Sequence, residues 1–337
     1  MPTVRVTRVR VLTLFVRGVL GAGSVTLLEV AATLPLAAAA ASTARRWRRG
    51  LANPVVMVTE RWRPLLPRLL AATAGQAVGL VFDPPPHRDW GTILGLGVVD
   101  HRRILPLAWR VVPQQEPGPT PQIVPRRDMC AEVAAALPPG CPVTLLADRG
   151  VTGPEVIVLC RELGWHYVLR VSVGATQSNR VRSATLPEPR RWTLVTGPGQ
   201  RWTGRLALDK QAGGRTVNLT IHGDRRYHEP WVLVSDRPAG SARVTEYRRR
   251  AHAEATDEDC QSRGFHIEHS KLATPARLDR LLLVVHLALW WGIQRGLRVI
   301  RGGLRRPFDR GDRRDLSVLR LGRRFVLAAL GDDHCPP

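Results

Sequence analysis

Lysine is almost missing from this chain of 337 residues: of 50 basic residues only Lys210 and Lys271 are lysines, and the rest are arginine. That excludes a basic surface of flexible ammonium groups and leaves planar guanidinium forks, which take phosphate oxygens in pairs. Acidic residues are also scarce, 28 in all, so the formal net charge is +22. Such a field attracts polyanions, nucleic acid before anionic membrane. A GC-rich genome also favours arginine, so composition leaves a merely basic surface as the alternative. Cysteine is present five times, an odd number with no CxxC pair, which excludes a disulfide framework or a zinc ribbon and points to a reducing cytoplasm.

Long apolar runs are lacking too. Residues 11–41 carry Arg17 and Glu29 inside and four arginines after the run Ala37 to Ala41, an arrangement unlike a signal peptide and suited to two packed helices. Residues 281–293 are intensely apolar but span about 13 positions against the roughly 20 a membrane helix needs, so a core helix is expected and no membrane partner. Neither internal repeats nor low-complexity segments occur. The hydrophobic share of 44% suffices for a buried core.

The first 75 residues read as helical, with Trp47 and the cluster Arg45, Arg46, Arg48 and Arg49 near a helix end and Asn53-Pro54 as a break. This is a plausible DNA-contacting module. The texture then changes. Apolar runs at 79–82, 92–99 and 104–112 read as three strands, the last two joined by a turn at Asp100-His101-Arg102. A helix over 126–137, a strand over 142–147, a helix over 153–163 opened by the capping box Thr152-x-x-Glu155, and a strand over 166–171 complete the pattern. Runs at 192–195, 202–208, 216–221 and 231–234 predict an inserted β subdomain over about 174–240. A helix from about 242 bears Glu254, a long apolar helix follows Pro275, and residues 295–324 are arginine-rich. The expected layout is a helical region over 1–75, an α/β domain over 76–330 and a tail over 331–337.

Strand order three strands, helix, strand, helix, strand fits a mixed sheet with helices packed on it, and Asp83 and Asp148 each follow a strand. Tyr247, Arg250, Glu254 and Gln261 lie within about 60° of one another on an ideal helix. That face puts phosphate-binding groups beside an oxygen donor for a metal. Taken singly, each residue has a plainer reading: aspartates as turn residues, tryptophans as packing, and Glu254, Asp257, Glu258 and Asp259 as a solvated acidic face on which Glu258 rivals Glu254. His266 and His269 lack a partner set at metal-ligand spacing.

Tyr247-x2-Arg250-x3-Glu254, with Ser262-Arg263-Gly264-Phe265 and residues 278–291, resembles the C-terminal signature of DDE transposases of the insertion sequence 4 family. Leu146-Ala147-Asp148-Arg149-Gly150, Leu80-Val81-Phe82-Asp83 and Leu105-Pro106-Leu107-Ala108-Trp109 resemble its other conserved segments, in the same order. The resemblance implies an RNase H-like fold in which Asp83, Asp148 and Glu254 hold two Mg²⁺ ions, Mn²⁺ substituting. It implies double-stranded DNA as partner, with transposon ends and target held by a homodimer, in a bacterial cytoplasm at the nucleoid. Tyr247 and Arg250 would hold a phosphate, and Trp192, Trp202 or Trp231 would stack a flipped base. Three departures stand out. Gln261 stands at the family lysine, Asp257 where an apolar or aromatic residue is usual, and Pro84-Pro85-Pro86 follow Asp83 where a small hydroxyl residue is usual two positions on. They define the alternative, a decayed relic that binds DNA without cutting it. A nuclease acting on RNA or hybrids is a third reading.

Overall fold

The computed structural model describes residues 6–82, 91–113, 123–149, 153–171, 195, 197–207, 216–227, 229–261, 264–272, 274–310 and 316–331. The chain forms two compact units, one from Arg63–Glu254 and one joining Met1–Trp62 to Ala255–Pro337.

The first unit is built on one eight-stranded sheet of order β3-β2-β1-β4-β5-β8-β7-β6. Strand β1 (Val78–Phe82) is buried at every position, as an apolar run with strands on both sides must be. Its neighbours are β2 (Gly91–Asp100), antiparallel, and β4 (Val143–Ala147), parallel. Strand β3 (Arg103–Pro113) returns beside β2 with Asp100 opposite Arg103. The two-residue loop is thus His101-Arg102, at φ 40° and 63°. Both are left-handed, as a primed hairpin turn requires, although neither is glycine or asparagine. Helix α6 (Ile123–Ala134) crosses from β3 to β4, and α7 (Pro154–Glu162) from β4 to β5 (His166–Arg170), which lies parallel to β4. The α7 N-cap is Gly153, with Pro154 starting the helix and no side-chain cap bond. This corrects the expected capping box, whose Thr152 lies outside the described residues.

Strands β6 (Arg201–Ala207), β7 (Thr216–His222) and β8 (Trp231–Ser235) were expected as an inserted subdomain. They extend the main sheet, because the wholly buried β8 pairs antiparallel with β5, Leu169 opposite Val234. Of the run 192–195 only Val195 is described. The result is an RNase H-like mixed sheet flanked by helices, with the inserted strands added at the β5 side.

The second unit is helical. Helices α1 (Val6–Ala22) and α2 (Leu27–Ala32) approach closely at Gly18, where a Cβ would stand 2.7 Å from Val30 Cγ1. Helix α3 (Ala40–Ala52) buries Thr43, Ala44, Trp47 and Leu51 on one face, and Trp47 stacks on Phe15 with centroids 4.5 Å apart. After the short helices α4 (Val58–Trp62) and α5 (Leu66–Leu70), the latter in the sheet unit, the chain returns late, through α8 (Ser241–Arg248) and α9 (His252–Cys260). It then forms α10 (Pro275–Arg301) and α11 (Val318–Gly331). Helix α10 is apolar around most of its girth and packs on α1, α3 and α11. Ala255–Pro337 groups with Met1–Trp62, whereas the expected layout placed 76–330 in one domain; α10 packs on helices from both parts of this unit. Among the described residues no helix is long and apolar enough to cross a membrane.

Candidate active site

The parallel pairing of β1 with β4 ends with Phe82 opposite Ala147. Asp148 is the next residue after β4, and its backbone carries the side chain out of the buried strand to 24% exposure. Asp83, next in sequence after β1, lies outside the described residues, as do Pro84 to Pro86.

Asp148 gathers four donors. Its Oδ1 accepts from the Arg149 amide at 2.7 Å and from the Tyr247 hydroxyl at 3.2 Å. Arg170 Nη1, at the end of β5, stands 3.6 Å from Oδ1, and Arg250 Nη2 stands 3.4 Å from Oδ2. Tyr247 is buried, packed edge-on against Trp231 at 5.1 Å. Burial first, and the Asp148 charge second, push its pKa upward, so the phenol stays a donor. The signature tyrosine and arginine, expected on a phosphate, thus reach one another through Asp148, across a sequence separation of 99 residues for Tyr247.

The helix carrying them is not continuous. Between α8 and α9, residues Arg249–Ala251 form a 3-10 turn, which winds at about 120° per residue and so rotates Glu254 away from the ideal face. Arg249 and Arg250 reach different strands from this turn: a Cβ at Gly79 of β1 would stand 3.2 Å from the Arg249 guanidinium. Ala253 belongs to the apolar cluster that contains Val81, Leu146, Val168, Trp231 and Tyr247. Glu254, beside it, is exposed. That cluster pins β1, β4 and the start of α9 together just behind the polar residues.

The remaining predicted residues fall in different places. Arg45, Arg46, Arg48 and Arg49 are exposed on α3, opposite its buried face. Gln261 ends α9: its amide donates to the Asp257 carbonyl at 2.8 Å, and its carbonyl accepts from Gly264 and His266. Trp192 lies outside the described residues. Trp202, half-buried in β6, lies over Gly204. Trp231 is a core residue, 3% exposed, its ring taken up by Tyr247, Tyr227 and His222. The acidic face expected over 254–259 is broken by Asp259, which is buried and accepts from Ser317 Oγ at 3.2 Å.

Sequence reasoning missed Arg170 and Tyr227. An arginine closing an apolar strand was the signal for the first; for the second, Arg225-Arg226-Tyr227 placed an exposed ring, 39% accessible, between charges. The Arg226 guanidinium lies 6.0 Å from that ring. Beside it opens a basic cleft of about 340 Å³ lined by Arg225, Arg226, Arg248, His222 and Asp224. Asp224 is buried and tied to Arg248 and Arg226. Burial alone would raise its pKa, but the Arg226 amide and the two guanidiniums lower it. His222 is pushed down by burial and then by Arg248, so it adds a neutral donor and acceptor to the cleft.

The model of the transposase DDE domain family matches residues 95–291. Among solved structures, the chain is similar to a piggyBac transposase in a synaptic complex with hairpin DNA, at 13% identity and a TM-score of 0.44. The likeness covers 86% of this chain and 59% of that one, so the chain spans less than two thirds of its length. No curated protein matches the chain in sequence.

Proposed function

Because the chain belongs to the transposase DDE domain family, we propose that it is the DNA transposase of an insertion sequence, cutting transposon ends and joining them to target DNA. The observation that carries this reading is Asp148, at the end of a strand beside β1 and held by the tyrosine and arginine of the signature helix.

The carboxylates suit hard divalent cations: Asp148 is partly open and Glu254 exposed, and neither offers soft or nitrogen donors. With Asp83 they would hold two Mg²⁺ ions, replaceable by Mn²⁺. Those ions would activate the attacking water or 3′-hydroxyl and steady the leaving oxygen. The protein's own residues orient and balance. Tyr247 fixes Asp148 Oδ1 through its hydroxyl. Arg170 and Arg250, at 3.6 and 3.4 Å, offset the carboxylate's charge. Backbone phosphates of double-stranded DNA would meet the α3 arginines and the basic cleft, and a displaced base would stack on Tyr227 or Trp202. A homodimer would hold the two ends.

Purified protein with Mg²⁺ or Mn²⁺ should nick DNA carrying its flanking terminal repeats. Nicking that survives both Asp148→Ala and Glu254→Ala would sink the assignment. A second reading, end binding without cleavage, draws support from Gln261 and from Pro84 to Pro86. It expects salt-sensitive binding with no product even in Mn²⁺, and cutting restored by Gln261→Lys with Pro85→Ser.

A further inference from the structure

The turn after α9 brings together three side chains that the sequence kept apart in function. Gly264 and Phe265 are buried, and a Cβ at Gly264 would collide with the Asp259 carbonyl, so the chain turns back tightly there. His266 is left-handed at φ 53° and caps a 3-10 turn over Ile267–Ser270, which Lys271 closes at φ 51°. In a 3-10 turn residues three apart eclipse one another. The rings of His266 and His269 accordingly stack at 5.3 Å and 14°. Glu268 reaches the same spot, with Oε1 3.6 Å from His266 Nδ1. Its other oxygen, Oε2, is buried and meets no hydrogen-bond donor among the described residues.

We infer that His266, Glu268 and His269 form a binding site for a late first-row divalent cation of the zinc class. One ligand atom from each lies within 4.8 Å of the others. Metal–ligand bonds of about 2.0–2.2 Å in a tetrahedron put ligand atoms about 3.3 Å apart. Modest side-chain rotation closes the difference. Two stacked imidazoles repel when both are protonated, whereas a cation draws both as neutral ligands and satisfies the carboxylate oxygen. Two nitrogens and one oxygen select zinc, cobalt or nickel over magnesium, which separates this site from the carboxylates around Asp148. Three protein ligands leave one position for water, and the ion would clip the turn that leads from α9 into α10. The inference does not rest on the transposase reading.

The test uses the full chain, stripped with chelator, and Co²⁺ as probe through its visible absorption. A background of Asp83→Asn and Asp148→Asn with Glu254→Gln removes those three carboxylates from contention. We expect one Co²⁺ per chain in this background, displaced by Zn²⁺ and untouched by excess Mg²⁺. Even outer-sphere changes at metal sites cost about tenfold or more in affinity, so losing a ligand in His269→Ala or Glu268→Gln should weaken binding by at least that much. His269 is exposed, so its replacement leaves the fold intact by circular dichroism, and His269→Cys should keep the ion and add a thiolate band. Absence of Co²⁺ absorption in the parent, or absorption unchanged in His269→Ala and Glu268→Gln, overturns the site.

Discussion

Arginine serves the two units in different ways. In the helical unit two arginines that reach inward, Arg323 and Arg280, end on backbone carbonyls. Arg323 donates to Leu20 and Gly21 at the end of α1, at 2.8 and 3.4 Å, and Arg280 donates to Leu51 near the end of α3 and to Val56, at 3.0 and 3.1 Å. Arg305 adds the carboxylate of Asp309 to the Leu316 carbonyl. In the sheet unit arginines meet carboxylates: Arg170 and Arg250 at Asp148, Arg237 and Arg243 at Glu246, Arg248 at Asp224, Arg110 at Glu132. The cause lies in backbone accounting. A helix leaves its last carbonyls unpaired at its negative end, whereas sheet strands largely satisfy one another, and there arginine meets acids, Arg110 adding the Trp109 carbonyl at 2.7 Å. A fork with five donors fits either task, and an ammonium fits the first poorly.

The comparison breaks most visibly at Asp148. Removing that carboxylate with Asp148→Ala should abolish cleavage and, by leaving the Tyr247 hydroxyl without its acceptor and the Arg170 and Arg250 charges without the carboxylate between them, cost roughly 2 kcal/mol, a figure reduced for partial exposure. Denaturant midpoints alongside a nicking assay would show both losses. In the helical unit the sharpest probe is His286, buried near Trp62, whose pKa burial lowers to about 3. It is neutral in the folded and unfolded chains above pH 6.5, and below that the unfolded chain binds the proton first. Stability is therefore complete above about pH 6.5 and falls with acidification by about 1.4 kcal/mol per unit, near 2 kcal/mol at pH 5. His286→Leu should flatten that dependence in denaturation experiments at pH 7.5 and 5.

Arg323→Lys tests the capping role itself. A point charge cannot span two carbonyls, so a loss of about 1–2 kcal/mol is expected in thermal melts. The opposite outcome, no change, would make the α1 contact incidental. Smallest in stability is the quadruple change of Arg45, Arg46, Arg48 and Arg49 to alanine, within about 0.5 kcal/mol because all four are exposed. Its effect should appear in DNA binding, where the slope of log affinity against log salt falls by up to about 4.

The sheet was legible because its strands are apolar runs bounded by turn residues, and the order of strands and helices followed from 79–171 alone. Asp148 was legible as the residue after such a run. The partners of Asp148 were not, since Tyr247 and Arg250 lie about a hundred positions away and their helical spacing suggested a common outward face. The 3-10 turn at Arg249–Ala251 has no marker such as proline or glycine. His266, Glu268 and His269 failed for a related reason: positions two apart do not face each other on an α-helix, and only a left-handed histidine followed by a 3-10 turn converges them. Unit boundaries were hidden because α10 is apolar almost all round, which tells that it is buried and not by what.

The helical unit is made from both ends of the chain, and this has a consequence during synthesis. A ribosome adding about 5–20 residues per second finishes every strand of the sheet before α10 emerges. The apolar face of α1 is then without its main packing partner, and α3 has α1 and α2 but not α10, while the sheet unit can already close around its core. Translation stopped before Pro275 should release a chain with a protease-resistant sheet and an N-terminal segment that is readily cut. The packing around α1 and α3 is therefore completed only when α10 has been made, so the timing of synthesis enters how this unit closes.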